Sequence, residues 1–321
     1  MRIVVGAFVW IAAMLAAGCT TAPVAPSVPV VAEAPVVSAS TPSAAAPAAS
    51  VPPPGVEAPK PPPKPPRIGL ALGGGAARGF AHIGVIQVLE EAGIKPELVV
   101  GTSAGSLVAA LYAAGKTPAE MAALALAMDE GAITDWAFPS RGLIRGEALA
   151  KWVRDATGSR QIETMRLPLG IVATDLDSGA AILFRRGDAG TAVRASSAVP
   201  AVFQPVKIGS REYVDGGLVS PVPVRFAREM GAQLVVAVDI SSPPDANATG
   251  DLMKMLLQTF AIMGRSINSF ELREADVVLR PTLAGVGSAD FTARGRAIQA
   301  GREAALKTLP ELRARIAALT R

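Results

Sequence analysis

From Arg67 onward the chain alternates short runs free of charge with stretches whose apolar residues recur every three or four positions. Ile68 to Leu72 is such a run and predicts a buried strand, followed by a tight loop at Gly73 to Gly75. Phe80 to Ala92 then predicts a helix with Ile83, Ile86, Val88 and Leu89 on its inner side. The same strand, turn and helix recur at Leu98 to Val100, Gly101 to Gly105 and Leu107 to Ala114, with Gly115 as the stop. Further strands are expected at Leu169 to Thr174, Ala181 to Phe184 and Leu234 to Asp239, and further helices at Pro118 to Met128, Gly146 to Thr157 and Pro221 to Met230. Regular alternation of this kind predicts one α/β domain over residues 67–321, with a mostly parallel sheet covered by helices on both faces. The stripe from Leu252 to Met263, with Met253, Met255, Leu256, Leu257, Phe260 and Ile262, is compatible with a core face or with an adaptable, lipid-facing lid.

The pattern before residue 67 differs. Residues 1–18 carry Arg2, an apolar run from Ile3 to Leu15 and small residues at the end, the layout of a secretory signal. Ala16-Ala17-Gly18-Cys19 resembles a bacterial lipobox, with Ala16 where a larger aliphatic residue is usual. That resemblance implies that Cys19 is acylated and becomes the N-terminus, and Thr20 after it implies the outer membrane, facing the periplasm. Plain signal cleavage with Cys19 left free is the alternative. Residues 20–66 hold 15 of the 27 prolines and little charge, so no continuous face can be buried and an extended spacer is expected.

Composition narrows the function classes. Half of the 321 residues are apolar, enough for a sizeable core. A net charge of +4, with the basic residues scattered, lacks the footprint of a nucleic-acid binder. One cysteine excludes an internal disulfide. Oligomeric state is not legible.

The candidate chemistry centres on Gly101-Thr102-Ser103-Ala104-Gly105, set between a strand and a helix. A serine on such a turn takes a strained backbone conformation that only small neighbours permit, and its hydroxyl is held out over the helix start. A tightly packed small-residue turn is the bland alternative. Histidine is the usual partner of a nucleophilic serine, but the only one, His82, precedes Ser103 and sits among apolar neighbours, as a structural helix residue would. A carboxylate must then serve as base. Among Asp175, Asp177, Asp188, Asp215 and Asp239, Asp215 stands out because Gly216 and Gly217 let its turn approach another loop. Asp175, Asp177 and Asp239 read better as turn formers, and no spacing suggests a metal site. The loop Gly73-Gly74-Gly75-Ala76-Ala77-Arg78-Gly79 lacks the acidic residue that a dinucleotide fingerprint needs after the second strand, and it lacks a phosphate-loop lysine. An oxyanion hole suits it better.

The glycine loop with Arg78 and His82-Ile83-Gly84, the Gly101 to Gly105 elbow and the Asp215-Gly216-Gly217 turn together resemble the patatin-like phospholipase family, in its bacterial branch related to neuropathy target esterase. Arg194 to Pro200, Phe203 to Val206 and Ala275 to Pro281 extend the resemblance, while Gly79 falls one place later than in the family pattern. The resemblance implies a three-layer patatin-like fold and an esterase of lipids with a Ser-Asp dyad and no cofactor. Ser103 would be the nucleophile, Asp215 the proton acceptor, and Gly73, Gly74, Gly75 and Arg78 the surroundings of the oxyanion, with an acyl-enzyme as intermediate. The expected partners are a lipid or acyl-ester substrate and, through Cys19, a membrane surface. A short-chain esterase or thioesterase and a non-catalytic accessory lipoprotein are the competing readings, and a nucleotide-binding module is the weakest.

Overall fold

A computed structural model describes residues 63–137, 141–242, 250 and 252–321. The expected signal segment, Cys19 and residues 20–62 of the expected spacer lie outside the described residues. In chain order the elements are β1 (Ile68–Leu72), α1 (Ala81–Glu91), β2 (Leu98–Thr102), α2 (Ala104–Ala113), α3 (Pro118–Ala127), β3 (Gly142–Ile144) and α4 (Glu147–Thr157). There follow β4 (Leu169–Asp175), β5 (Ala181–Phe184), α5 (Ala189–Ser196), β6 (Ala201–Phe203), β7 (Val206–Ile208), β8 (Arg211–Asp215) and α6 (Val224–Glu229). The chain then runs through β9 (Leu234–Val238), α7 (Leu252–Glu271), β10 (Val277–Leu279) and α8 (Arg294–Leu319).

Eight strands form the main sheet in the order β10-β9-β1-β2-β4-β8-β7, with β5 also paired to β4, while β3 and β6 make a small separate ribbon. The run from β10 to β4 is parallel, and β5, β7 and β8 are antiparallel additions. Side chains alternate faces along a strand. Leu70, Leu72, Val99, Val236 and Val238 therefore join the core beneath α1, α2 and α8, while Ala71, Leu98, Val100, Val235 and Ala237 pack under α6. Both faces are covered, so these strands read as continuous apolar runs, as buried parallel strands should.

Two glycines set the approach of α8 to α1. A Cβ on Gly84 would lie 1.9 Å from the Ile298 carbonyl oxygen, and one on Gly301 would lie 1.9 Å from that of Ala81. Backbone therefore touches backbone where the helices cross. The hydrophobic pattern does not predict α8 because its buried positions, Ala297, Ala300, Gly301 and Ala305 among them, are mostly small. The helix after β2 starts at Ala104 rather than at Leu107, since its first turn is too crowded for large apolar side chains. The stripe in α7 is not core: Leu252, Met255, Ile262 and Met263 are 83%, 52%, 52% and 47% exposed. Among the described residues no helix is long and apolar enough to cross a membrane.

The crossing generates a paired prediction. Gly301→Ala forces the helices apart and should lower stability by about 1–3 kcal/mol, as overpacking does. Gly295→Ala meets open space and should raise stability by about 0.4–1 kcal/mol through reduced freedom of the unfolded chain. Urea unfolding of both variants checks this, and equal effects would contradict the crossing.

Candidate active site

The site forms on one edge of β4. At Ala173 and Thr174 the strand pairs with β5 on one side and with Asp215 and Val214 of β8 on the other. At Ile171 and Val172 it again pairs with β5, and its other side is taken by Gly101 and Thr102 of β2. The parallel β2 and the antiparallel β8 therefore approach head to head along the same edge. The residues where they meet are Ser103 and Asp215.

Ser103 leaves β2 with φ 51 and ψ −124, a conformation that costs a non-glycine residue on the order of 1–3 kcal/mol. Its surroundings hold it there. The Ser103 N–H donates to Ser196 Oγ at 2.8 Å, and Ser196 Oγ donates to the Val172 carbonyl at 2.6 Å. Ser106 Oγ donates to the Ser103 carbonyl at 2.6 Å. A Cβ at Gly101 would meet the Gly105 carbonyl oxygen at 2.4 Å, and one at Gly105 would meet that of Leu72 at 2.1 Å, so both positions exclude any side chain.

Asp215 is buried. Its N–H donates to the Ala198 carbonyl at 3.0 Å, and its own carbonyl accepts from Thr174 Oγ1 at 2.8 Å. Gly216 lets the chain fold over the end of β2, since a Cβ there would come within 2.2 Å of the Val172 carbonyl oxygen and 3.1 Å of Thr102 Cγ2. The Gly217 N–H donates to Asp215 Oδ1 at 2.7 Å. Burial pushes the carboxyl up to about 6, against the lowering effect of the Gly217 N–H and of hydrogen bonding from the Ser103 side chain. It is ionised at neutral pH, yet a much better proton acceptor than an ordinary aspartate.

The glycine loop lies against the elbow, with the Cβ position of Gly74 only 3.2 Å from Ser103 Cβ. Its N–H groups are not equivalent. That of Gly73 donates to the Val238 carbonyl at 3.1 Å and that of Gly74 to the Pro221 carbonyl at 2.9 Å. Among the described residues, no acceptor faces the N–H groups of Gly75, Ala76 and Ala104. The Arg78 guanidinium is buried and donates to Ser242 Oγ and to the Ile240 carbonyl, so it ties the loop to the exit of β9. Burial lowers Arg78 to about 10, partly offset by Asp239, and leaves it charged at neutral pH. His82 is fully buried, with Nε2–H donating to the Gly73 carbonyl at 2.8 Å, and burial lowers it to about 4 despite that bond and Asp239. It is a neutral pin for the loop.

The role of Ser196, within the Arg194 to Pro200 match, and those of Ser106 and of a group around Glu271 escape a sequence reading. Ser220 Oγ donates to both Glu271 carboxylate oxygens at 2.8 Å, and Thr102 Oγ1 donates to the Ser220 carbonyl at 2.8 Å. Arg225 Nε stands 3.2 Å from Glu271 Oε1. Burial raises Glu271 to about 7, with Ser220 and Arg225 opposing and Glu274 assisting. This clasp fastens α7 to the turn after Asp215. Asp175 is held by Ser178 and Arg211, Asp188 caps α5, and Asp239 accepts from Ser241, so all three act in turns and caps. Among the described residues no cluster of His, Cys, Asp and Glu could hold a metal ion.

A cavity of about 160 Å³ opens beside Ser103 between α1, α2, α3 and α4. Its walls include Leu107, Leu111, Met121, Met128, Trp152 and Phe203, with Ala76 and Ala104 near the serine. It offers an apolar slot leading away from a strained serine and its buried carboxylate.

Strained serine, apposed carboxylate and mostly parallel sheet together define a patatin-like α/β fold, and comparison with known proteins agrees. Residues 70–228 match the family model described as patatin-like phospholipase. An "uncharacterized NTE family protein" of Mycobacterium tuberculosis is 39% identical over 179 residues, 55% of this chain and 49% of that protein. A second one from the same species is 31% identical over 277 residues, 76% of this chain and 47% of its own length. Patatin-like phospholipase domain-containing protein 6 of Mus musculus is 35% identical over 189 residues, 56% of this chain and 14% of its own. The crystal structure of VipD from Legionella pneumophila shares the fold with a TM-score of 0.53 at 15% identity, over 77% of this chain and 67% of that one. The chain is thus similar to patatin-like phospholipases over residues 70–228 and to NTE family proteins, and it spans about half the length of the bacterial relatives it matches.

The raised Asp215 gives a stability prediction of definite sign. The folded carboxyl binds its proton more tightly than the unfolded one, so stability falls as pH rises from 3.8 through about 6. Asp215→Asn keeps an acceptor for Gly217 and removes the buried charge. It should be more stable than the wild type near pH 8, by at most about 3 kcal/mol, and therefore melt higher, and it should lose that advantage near pH 4. Thermal melts across this range test it, and an Asn variant that is less stable near pH 8 would refute the account.

Proposed function

We propose that the protein is a serine acyl hydrolase of the patatin-like phospholipase family that cleaves acyl esters of phospholipid or lysophospholipid type. The observation that carries this reading is the meeting of Ser103 with the buried Asp215, Ser103 also lining an apolar cavity. The Asp215 carboxylate accepts the hydroxyl proton as Ser103 Oγ attacks the ester carbonyl. The resulting oxyanion is met by N–H groups of Gly75, Ala76 and Ala104, and a single such donor contributes on the order of 3 kcal/mol to the transition state. Collapse breaks the ester bond, and the leaving alcohol takes the proton held on Asp215. Water then attacks the acyl-Ser103 ester, with Asp215 again as base, and the free acid departs.

The apolar lining of the cavity suits a hydrocarbon acyl chain, and comparing long-chain with short-chain esters separates this reading from a short-chain esterase or thioesterase. The exposed apolar side chains of α7 also suit a lipid-facing surface. We further place the protein in the cell envelope, anchored through acylated Cys19 to the outer membrane and facing the periplasm, with residues 20–66 as tether and the catalytic domain from residue 67.

Ser103→Ala and Asp215→Ala should each lower kcat/KM on long-chain lysophospholipid by at least about a thousandfold while the protein stays folded. In the wild type kcat/KM should rise tenfold per pH unit up to about 6 and then level off, following the free-enzyme carboxylate. Full activity in the Asp215 variant, or an ascending limb near 4, would remove Asp215 from the base role. Cys19→Ala should move the mature protein from the membrane pellet to the soluble periplasmic fraction. Persistence in the pellet would exclude the lipid anchor.

A further inference from the structure

A second cavity, of about 480 Å³, shares no lining residue with the first and has a different character. It opens at the carboxyl ends of β9 and β10, the side of an open α/β sheet where ligands collect. Asp239 and Ser241 follow β9, Arg280 follows β10, and Arg265, Asn268 and Arg273 come from α7 and the turn after it. The charges do not balance. Asp239 is the one carboxylate of the lining; it accepts from Ser241 N–H at 3.0 Å and Ser241 Oγ at 2.6 Å and faces Arg280 Nε at 3.5 Å. The Arg273 guanidinium stacks over the Phe270 ring at 5.3 Å, and among the described residues Arg265 has no carboxylate partner. Among the described residues, two guanidinium charges remain uncompensated around the opening.

Asn268 supplies an independent sign that something binds. The residue is 3% exposed, and its Oδ1 accepts from the Val222 N–H at 3.2 Å, which fixes the orientation of the amide. Asn268 is a lining residue of the cavity, and its buried Nδ2 has no hydrogen-bond partner. A buried N–H group left without an acceptor is strongly unfavourable. Asp239 is already engaged by Ser241 and Arg280, so what Asn268 Nδ2 and the two arginines lack is a negatively charged acceptor of their own. A ligand built of several acceptor oxygens matches an amide N–H and planar guanidinium forks together, as tetrahedral phosphate does.

We propose that this cavity binds a phosphate-bearing anion through Arg265, Arg273 and Asn268 Nδ2, at a site separate from Ser103. The phosphate can belong to a lipid headgroup or be free in solution. Because the site does not depend on the hydrolase reading, the test uses the full chain carrying Ser103→Ala and Cys19→Ala, so that neither turnover nor an acyl anchor contributes. Inorganic phosphate, against chloride of equal ionic strength, should raise the melting temperature by about 2–4 °C, the shift of a modest stabilisation in a domain of this size. Phosphatidylcholine vesicles containing phosphatidic acid should bind at least about tenfold more tightly than phosphatidylcholine alone. Arg265→Gln with Arg273→Gln, and separately Asn268→Asp, which keeps the acceptor for Val222, should abolish whichever response is seen. A phosphate shift alone identifies a soluble phosphate ester as ligand, and vesicle binding alone identifies a headgroup. No response to either probe overturns the proposal. So does an equal loss in Arg313→Gln, on exposed α8 surface, because binding would then follow overall charge.

Discussion

The pairing capacity of a single strand organises the site. β4 has two edges, and β5 takes one of them from Ile171 to Thr174, so β2 and β8 must divide the other there. Ser103 and Asp215 are neighbours because their strands run out of room against each other. The apposition rests on backbone ladders and short side chains, and no long flexible group has to be ordered to create it. The segment from α5 to Ala198 braces both partners, through Ser196 Oγ at the Ser103 N–H and through the Ala198 carbonyl at the Asp215 N–H. A shift of that segment would move both at once.

Burial acts on two titratable groups near the elbow in opposite senses. His82 is held neutral, so acidification from about 6.5 to about 4 favours the unfolded chain, where imidazole can charge. Asp215 is held above its ordinary value, so acidification over nearly the same range favours the folded chain. The two slopes largely cancel. The fold can therefore keep a buried, neutral imidazole as the pin of the glycine loop without becoming acutely sensitive to mild acid, because the perturbed carboxylate offsets it.

Much of this was legible in the sequence wherever sterics dictate residue type. The strained turn at Ser103 needs Gly101 and Gly105, the fold-over after Asp215 needs Gly216, and buried parallel strands show as unbroken apolar runs. What stayed hidden depends on contacts between distant segments. Ser196 and Ser106 are ordinary serines until folding places them at the elbow, and Glu271 looks like any helix-surface glutamate. The glycine loop announces a close approach, yet the sequence cannot tell that Gly73 and Gly74 direct their N–H groups to Val238 and Pro221, or that Arg78 reaches toward Ser242. α8 was silent because close-packed small residues carry little hydrophobic signal.

The central position of β1 has a consequence for how the molecule comes into being. On one side β1 pairs with β2 in register Gly69 to Leu98, a nearby partner, and on the other with β9 in register Ile68 to Leu234. α8, the last element, closes over α1 through Gly84 and Gly301. Long-range parallel pairing of this kind forms late and slowly. The glycine loop hangs from β1 and is fixed by Val238, Pro221 and Ile240, so it gains its shape only after β9 has docked. Assembly of the elbow thereby becomes a checkpoint: a partly made or partly folded chain has its serine but not the loop that faces it.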